Sequence, residues 1–361
     1  MIYGPDLLNY TQEMWDDLIL TKKEIVFSRI SPQQKVEIVK NLQRLGEIVI
    51  VTGDGVNDAI ALKKANIGVA MGEGGSDVAR EAADVIFMDD NFASIVEAVS
   101  EGRRLFDNLK KSIVYTVTHG NVEVLPSLLN IAIDMPLAIT SLQILSIDLG
   151  TELGPAISMS HEYAEDDLMT RKPRNIHTEK LVSYSTLSYP YIFASFIEIC
   201  FCLIAYFTAF WEAGILSDEL SGIAVENFTG QSNNLWMARG GEMFTSDQQN
   251  YILVNSECAY YITLVMSQFS HIWFCRTRQK SIFTHGFRNV VCNYGVLCEI
   301  FIVTIVVYVP AFHSTFSTFP IGGMYWTMWI GSLIFLGTFN ETRKYYTRKY
   351  PEHRVSKMFM W

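Results

Sequence analysis

Positive charge is scarce in this 361-residue chain. Lys and Arg number 28 against 38 Asp and Glu, which gives a formal net charge of −10. Chains that bind nucleic acid carry a basic surface, so this balance argues against nucleic acid as a partner. The first residues, MIYGPDLLNY, also lack the basic start and apolar core of a signal peptide. Their abrupt beginning suggests a piece of a longer polypeptide.

Paired cysteine motifs are also missing. All six cysteines lie in or beside apolar runs, and none forms a CxxC pair. We interpret them as small buried apolar side chains rather than as disulfide partners or metal ligands. They are Cys200, Cys202, Cys258, Cys275, Cys292 and Cys298.

Apolar residues are abundant and unevenly placed. Hydrophobic residues make up 49% of the chain, and charged residues concentrate before residue 112. This split predicts a soluble domain at 1–111, a membrane domain at 112–340 and a cytosolic tail at 341–361. Six apolar runs predict six transmembrane helices. They lie at about 112–133, 137–158, 188–210, 252–274, 290–309 and 325–340.

Basic residues set the predicted orientation of these spans. They cluster in loops 159–187 and 275–289 and in the tail, whereas loop 211–251 has one basic residue against six acidic ones. Since cytosolic loops carry the excess of Lys and Arg, residues 1–111 and the tail should be cytosolic. Loop 211–251 should face outside, where Asn227 begins a glycosylation sequon, Asn-Phe-Thr.

Four short β-type runs in the soluble domain end in polar loops, and helical segments separate them. Ser31-Pro32 predicts a helix start, with an N-cap followed by proline at the first helical position. The alternation predicts a parallel sheet covered by helices, with functional loops at the carboxyl ends of the strands. The four runs are 24–29, 47–54, 67–72 and 85–90.

The loop TGDGVND follows the second of these runs. Gly53 and Gly55 allow a tight turn, while Asp54, Asn57 and Asp58 bring oxygen ligands near one point. Hard oxygen ligands in such a loop suit Mg²⁺. On composition alone, an acidic surface turn is an equal alternative.

Ionisable residues interrupt the first two apolar runs. Glu123 lies in the first, and Asp148 and Glu152 share a helix face in the second. Tyr115 and His119 precede Glu123 at helical spacing, which makes one polar stripe. Ionisable residues inside a membrane are costly, and three carboxylates in a hairpin fit a dehydrated cation site. The alternative is a set of polar pairs that tie the helices together.

Helix breakers accompany these acids. Pro126 has no N–H, so the carbonyl of Val122 loses its helical partner, and Pro155 has the same effect in the second run. Gly120 and Gly150 allow local unwinding. We therefore expect freed carbonyls that line an ion cavity.

Several stretches resemble one protein family. TGDGVNDAIALKKANIGVAMG, at 52–72, matches the hinge motif of P-type cation-transporting ATPases. FSRISPQQK and IDLGTELGPAIS resemble the alpha subunits of the sodium/potassium-ATPase and gastric proton/potassium-ATPase group. The resemblance implies a partial haloacid-dehalogenase-like (Rossmann-like) α/β phosphorylation domain, followed by an all-α membrane domain of six helices. Calcium pumps share TGDGVND and are a weaker alternative.

The resemblance also implies residue roles. Asp54 would be the Mg²⁺ ligand and Asp58 would support a phosphorylated aspartate, while Asn57 and Lys35 would contact the phosphoryl group. The implied catalytic and cofactor-binding residues are Lys35, Thr52, Gly53, Asp54, Asn57 and Asp58, with Asp54 and Asp58 at Mg²⁺. The implied ligands of the transported cation are Tyr115, His119, Asn121, Glu123, Asp148, Glu152 and Gln268.

The motifs DKTGT and TGES of the family are absent from the sequence. We therefore expect this chain to be part of an ion-motive ATPase that is inactive alone, because the aspartate to be phosphorylated is missing. The alternative is a non-catalytic truncated or pseudo-pump that binds a beta subunit or regulates transport. Expected partners and cofactors are sodium and potassium ions or protons, membrane lipid, Mg²⁺, ATP and a glycosylated beta subunit at 211–251. The expected location is the plasma membrane.

Some positions depart from the family pattern. His119 replaces a serine that is lysine in gastric pumps, Val122 replaces a proline, and His271 replaces an aspartate. Cys298-Glu299 replaces a glutamate pair. We hypothesise altered ion stoichiometry or pH-dependent transport; relaxed constraint on a degraded copy is the alternative. We assign no function to Glu198, which lies inside the third apolar run.

Overall fold

A long helix contains the boundary between two units of the chain. The computed structural model describes residues 1–166, 168–171, 173–175, 179–224, 226–228 and 235–359. It divides into Met1–Glu101 and Gly102–Trp361, so the boundary lies inside helix α5 (Ala93–Ile133). The boundary that we predicted at residue 111 lies further along the same helix.

The first unit alternates short strands with helices. Its strands are β1 (Ile2–Tyr3), β2 (Phe27–Ser28), β3 (Ile50–Gly53), β4 (Ile67–Met71) and β5 (Val85–Phe87). Its helices before α5 are α1 (Gln12–Thr21), α2 (Pro32–Arg44), α3 (Ala59–Lys64) and α4 (Asp77–Ala82), with 3₁₀ turns at Gly4–Asn9 and Val56–Asp58.

Helix α2 begins where the sequence predicted. The Ser31 hydroxyl accepts a hydrogen bond from the Gln34 backbone N–H at 3.3 Å, and the Gln34 side chain accepts one from the Ser31 N–H at 2.9 Å. This reciprocal pair satisfies two backbone donors that the first helical turn leaves free. It fixes the helix that carries Lys35.

Strands β3, β4 and β5 form the predicted parallel sheet, in that order. Ile50 pairs with Ile67, and Val69 pairs with Val85. The run at 24–29 does not join this sheet, because its strand β2 pairs with β1 instead. The two-residue strand β1 is too short to show an alternating pattern, so this pairing could not be predicted from the sequence.

Helices dominate the second unit. They are α6 (Ser141–Ser146), α7 (Leu153–Ser158), α8 (Tyr184–Ser188), α9 (Ser195–Glu212), α10 (Ser246–Cys275), α11 (Ile282–His285), α12 (Val290–Tyr308), α13 (Pro310–Phe316), α14 (Trp329–Lys349) and α15 (Arg354–Phe359). Wider π-helical turns occupy Ile147–Thr151 and Tyr189–Ala194, and 3₁₀ turns occupy Met159–His161, Ser217–Leu220 and Tyr325–Thr327. A short antiparallel pair joins β6 (Trp236–Met237) and β7 (Met243–Phe244).

Two helical stretches of the described chain are long and apolar enough to cross a membrane. They are Tyr184–Glu212 and Val290–Tyr308. Helices also occupy the other four predicted runs, the second of them in pieces around the π-helical turn at Ile147–Thr151. Ionisable residues such as His119 and Glu123 interrupt the first of these runs.

A buried ion network joins two loops of the second unit. The Glu162 carboxylate accepts hydrogen bonds from Arg276 at 2.7 Å, His285 at 2.9 Å and Asn289 at 3.0 Å. Burial acts to raise the pKa of Glu162, but these donors together lower it to about 2. The network holds the segment after α7 against the start of α12.

Candidate functional site

The loop TGDGVND begins at the carboxyl end of β3, as predicted for a functional loop in a parallel sheet. The Ser76 N–H donates to the Asp54 carbonyl at 2.7 Å, which ties the loop to the start of α4. The Lys35 ammonium pairs with the Asp58 carboxylate. Asp54 and Asn57 are exposed at the loop surface. The structure therefore brings the predicted residues of this loop and Lys35 to one end of the sheet.

A side chain at position 53 would collide with Asp58. A Cβ built on Gly53 would lie 2.4 Å from the Asp58 Cβ, closer than any ordinary contact. The glycine therefore lets the carboxylate of Asp58 fold back over the end of β3, where its Oδ2 accepts a bond from the Gly55 N–H at 3.4 Å. The loop depends on this close approach.

The donor set of this loop fits Mg²⁺. Asp54 presents an exposed carboxylate, which is a hard oxygen ligand of the kind Mg²⁺ prefers. Asp58 is already paired with Lys35, so it holds that lysine in place rather than facing outward. Thr52 and Gly53 end the strand and are half-buried.

A second polar cluster surrounds His119 in α5. The His119 Nε2 lies 3.2 Å from the Asp148 Oδ1, and its Nδ1 lies 3.8 Å from the Glu152 Oε2. One ligand atom each from His119, Glu123 and Asp148 all lie within 4.8 Å of one another. His119, Glu123 and Glu152 are buried, whereas Asp148 keeps 48% of its side chain exposed. The three carboxylates predicted from the sequence thus meet around one imidazole.

Several buried oxygens near this cluster make no hydrogen bond among the described residues. They include both carboxylate oxygens of Glu152 and of Glu299, one oxygen of Glu123 and the hydroxyl of Tyr115. Glu299 on α12 lies within electrostatic range of Glu152. Unsatisfied polar atoms in a buried site are costly, so the arrangement favours a bound ligand.

Another buried polar group lies on α9 and α10. Gln268 donates to the Glu198 carboxylate at 2.5 Å, and the His271 Nδ1 lies 3.5 Å from the other Glu198 oxygen. The His271 Nε2 lies 3.1 Å from the sulfur of Cys275 and 3.3 Å from the hydroxyl of Tyr189. Glu198 received no role from the sequence, because a single acid in an apolar run has no motif around it.

Asn121 is placed apart from the other predicted cation ligands. Its side-chain amide donates to the Tyr191 carbonyl at 3.0 Å and to the Ser195 hydroxyl at 3.2 Å. These bonds tie α5 to the start of α9. The His119 cluster therefore forms without the Asn121 amide nitrogen.

Two expectations about the broken helices were wrong. The Val122 carbonyl is not free, because the Tyr260 hydroxyl donates to it at 2.6 Å. Helix α5 also runs without interruption through Gly120, since no side chain or proline perturbs the backbone there. Local widening occurs at Gly150 instead, inside the π-helical turn between Asp148 and Glu152.

Comparison with known families decides the relationship. Residues 136–346, more than half of the chain, match the family described as cation transporting ATPase, C-terminus. The chain belongs to the cation-transporting ATPases. Residues 33–99 of this cation-transporting ATPase also match the family described as haloacid dehalogenase-like hydrolase. The two matches confirm the predicted order of a haloacid-dehalogenase-like part followed by the ATPase C-terminal part.

Named relatives of this cation-transporting ATPase are sodium/potassium-transporting ATPase alpha subunits. The alpha-2 subunits of Rattus norvegicus and Homo sapiens are 41% identical over 357 residues, and the alpha-3 subunit of Oreochromis mossambicus is 40% identical. Each alignment covers 99% of this chain and 35% of the relative. The chain thus spans about a third of the length of these relatives.

Proposed function

We propose that this chain is the C-terminal part of an ATP-driven pump for monovalent cations of the sodium/potassium type. In this proposal, formation and hydrolysis of an aspartyl phosphate drive the transport of Na⁺ and K⁺, or protons, across the plasma membrane. The observation that carries the proposal is the cluster of three carboxylates around the buried imidazole of His119.

The charge balance of this cluster supports a cation as its ligand. Among the described residues, no lysine or arginine forms an ion pair with Glu123, Asp148 or Glu152. A buried carboxylate without a paired cation is strongly unfavourable in a low-dielectric interior. A transported cation supplies that charge, and Tyr115 on α5 and Gln268 on α10 are buried and carry further oxygen atoms.

The TGDGVND loop supports phosphoryl chemistry in the first unit. Mg²⁺ and ATP, when bound, supply the phosphoryl group and the charge that stabilises its transfer. Lys35 places a positive charge at the end of β3, Asp54 offers the Mg²⁺ ligand, and Asn57 offers an amide to the phosphoryl oxygens. Asp58 orients Lys35 through their ion pair.

The open edge of β3 is consistent with a further strand, from another segment, that carries the aspartate to be phosphorylated. Strand β3 pairs with β4 on one side, and the described residues supply no strand on its other side. An apolar strand with an open edge is a template for pairing. In our proposal a strand carrying the aspartate binds there, so that the carboxylate reaches Lys35 and Asp54.

Membrane topology and a beta subunit form the finer part of the proposal. We assign six spans, a cytosolic first unit and tail, and an outward loop 211–251. In that loop the rings of Phe228, Trp236 and Phe244 pack against one another, with ring centroids 5.4 and 5.9 Å apart. Phe228 and Phe244 are buried, so this aromatic group gives the loop a packed interior beneath the surface that we assign to a beta subunit. Thr229 of the Asn227 sequon lies outside the described residues.

A chimaera tests the pump directly. The matching third of a sodium/potassium-transporting ATPase alpha subunit is replaced by this chain, and Na⁺- and K⁺-stimulated ATP hydrolysis is measured in membranes. We expect cation-stimulated hydrolysis that Glu152→Gln reduces at least about tenfold, because the variant removes a buried charge that binds the ion. Glu97→Gln, an exposed position on α5, is the matched control and should leave activity unchanged.

The same chimaera separates the two classes of function. A chimaera that reaches the membrane and forms a phosphoenzyme but shows no cation dependence would refute the pump proposal. A chimaera that forms no phosphoenzyme while still binding a beta subunit would support the non-catalytic alternative.

A further inference from the structure

Donor atoms of different chemical kinds converge at His119. One atom each from His119, Glu123 and Asp148 lie within 4.8 Å of one another. His119 and Glu123 are more than nine-tenths buried, and one Glu123 oxygen has no hydrogen-bond partner among the described residues. Leaving this oxygen unsatisfied costs free energy that a ligand can recover.

The donor set points to a particular class of metal. An imidazole nitrogen adds nothing to a site for hard monovalent cations, which oxygen atoms hold. Imidazole nitrogen and carboxylate oxygen are, in contrast, both ligand types that Zn²⁺ binds, and three protein ligands leave a fourth position open. Ligand atoms in a tetrahedral zinc site lie roughly 3.4 Å apart, since each bond is about 2.0–2.2 Å long. The 3.2 Å between the His119 Nε2 and the Asp148 Oδ1 fits one edge of such a site.

A fourth residue orients the imidazole. Histidines that bind metals usually direct their second ring nitrogen at a carboxylate, which fixes the tautomer and the ring. The His119 Nδ1 lies 3.8 Å from the Glu152 Oε2, on the side of the ring away from Asp148. Glu152 is buried, and this separation places it beside the second ring nitrogen of His119.

We propose that His119, Glu123 and Asp148 bind a divalent transition-metal ion, Zn²⁺ or one of similar chemistry, with Glu152 as a positioning residue. Binding depends on these side chains alone. Its consequence rests on the proposed function: a divalent ion held in this cluster occupies the place of the transported monovalent cations and inhibits the pump.

Metal titration of the whole chain tests the binding. The purified chain in lipid nanodiscs is titrated with ZnCl₂ by calorimetry and with Co²⁺ by visible absorption. We expect one binding site. His119→Gln should lower its metal affinity about 100-fold or more, and Glu152→Gln should lower that affinity about 10- to 100-fold. The matched control is His271→Gln, another buried histidine of the second unit, which should leave the affinity unchanged.

Contrary results are equally clear. Equal affinities for the unaltered chain and His119→Gln would overturn the proposal, as would a loss of binding in His271→Gln. Zinc K-edge absorption on the unaltered chain avoids any doubt about variant folding. We expect one imidazole among oxygen ligands; a sulfur ligand would move the metal to the Cys275 side and overturn the assignment.

ATP hydrolysis by the chimaera separates this proposal from the pump itself. Zinc binding with no cation-stimulated hydrolysis refutes the pump and leaves the metal site standing. Cation-stimulated hydrolysis with no zinc binding refutes the metal site and leaves the pump standing. Inhibition by micromolar Zn²⁺ that is lost in His119→Gln supports both.

Discussion

The two units of the chain differ in what they bury. The apolar cluster of the first unit is small and consists of Leu62, Ala70 and Ala79 with a few half-buried neighbours, and other buried side chains such as Trp15 and Val39 lie outside it. The second unit contains a far larger apolar cluster that runs through α9, α10 and α12. A small core gives a marginally stable unit, whereas a large one can absorb the cost of burying polar groups.

Polar burial follows the same division. In the first unit, all of whose residues are described, Asp58 is the one buried polar side chain. The second unit buries the His119 cluster, the Glu198 group and the Glu162 network. The polar residues of the TGDGVND loop therefore lie mostly at the surface of their unit, whereas most residues of the His119 cluster are buried within theirs. Four predictions test this comparison, from the largest expected effect to the smallest.

Loss of the Glu162 charge should have the largest effect. Glu162→Gln leaves Arg276 buried without a carboxylate, and removing one partner of a buried ion pair typically costs about 3–5 kcal/mol. We expect the free energy of unfolding of the second unit in mixed micelles to fall by that amount. Glu226→Gln, an exposed position, is the control, and equal values for both variants would refute the role of the network.

Leu62→Ala should unfold the first unit selectively. Leu62 is fully buried in a core with few members, and such truncations cost about 2–5 kcal/mol. Hydrogen exchange should speed up across residues 1–101 and stay unchanged in α10. Ile60→Ala on the same helix is the control, because Ile60 is 58% exposed and its loss should cost under about 0.5 kcal/mol. Protection retained in Leu62→Ala would contradict the comparison.

Acid should weaken the second unit through Glu162 and Glu165. Burial acts to raise the pKa of Glu165, but Lys111 and three backbone N–H groups lower it to about 2. The pKa of Glu162 is also lowered to about 2, by the hydrogen-bond donors described above. A carboxylate with a lowered folded pKa stabilises the protein above its ordinary value of 4.5, and this contribution disappears as pH falls towards 2. The share that Glu165→Gln removes is worth roughly 3 kcal/mol.

Unfolding measured at several pH values checks this. Stability should fall between pH 4.5 and pH 2, and Glu165→Gln should show a shallower fall. An unchanged slope in that variant would show that other groups carry the acid sensitivity.

Tyr260→Phe should have the smallest effect. The variant removes the hydroxyl that donates to the Val122 carbonyl, and an unsatisfied buried acceptor costs about 1–3 kcal/mol. We expect a loss of that size in the unfolding free energy of the second unit. The control is Tyr251→Phe, at an exposed tyrosine on the same helix, and the prediction fails if the two variants match.

Local signals explain what could be predicted from the sequence. The start of α2, strands β3 to β5 and the TGDGVND loop depend on neighbouring residues, and each was found where predicted. The meeting of Glu123, Asp148 and Glu152 followed from helical spacing and a short hairpin. These features need no knowledge of distant packing.

Contacts between distant residues explain what could not be predicted. Val122 and Tyr260 are 138 positions apart, so no residue near Pro126 indicated that the Val122 carbonyl accepts a hydrogen bond from Tyr260. Glu198 and Glu299 are single acids in apolar runs, and their meaning lies in the groups that packing brings beside them. The hydrogen bonds of the Asn121 amide to Tyr191 and Ser195 also join residues that are 70 or more positions apart, so they could not be predicted either.

The unpartnered oxygens of Glu152 and Glu299 have a thermodynamic consequence. A ligand that binds the folded chain and not the unfolded one adds its binding free energy to stability. Above its dissociation constant, each tenfold rise in the concentration of the bound ion therefore adds about 1.4 kcal/mol. Under the proposed function, the melting temperature of the second unit should therefore rise with the concentration of the bound ion, and the size of that rise should rank ions by affinity without a measurement of turnover.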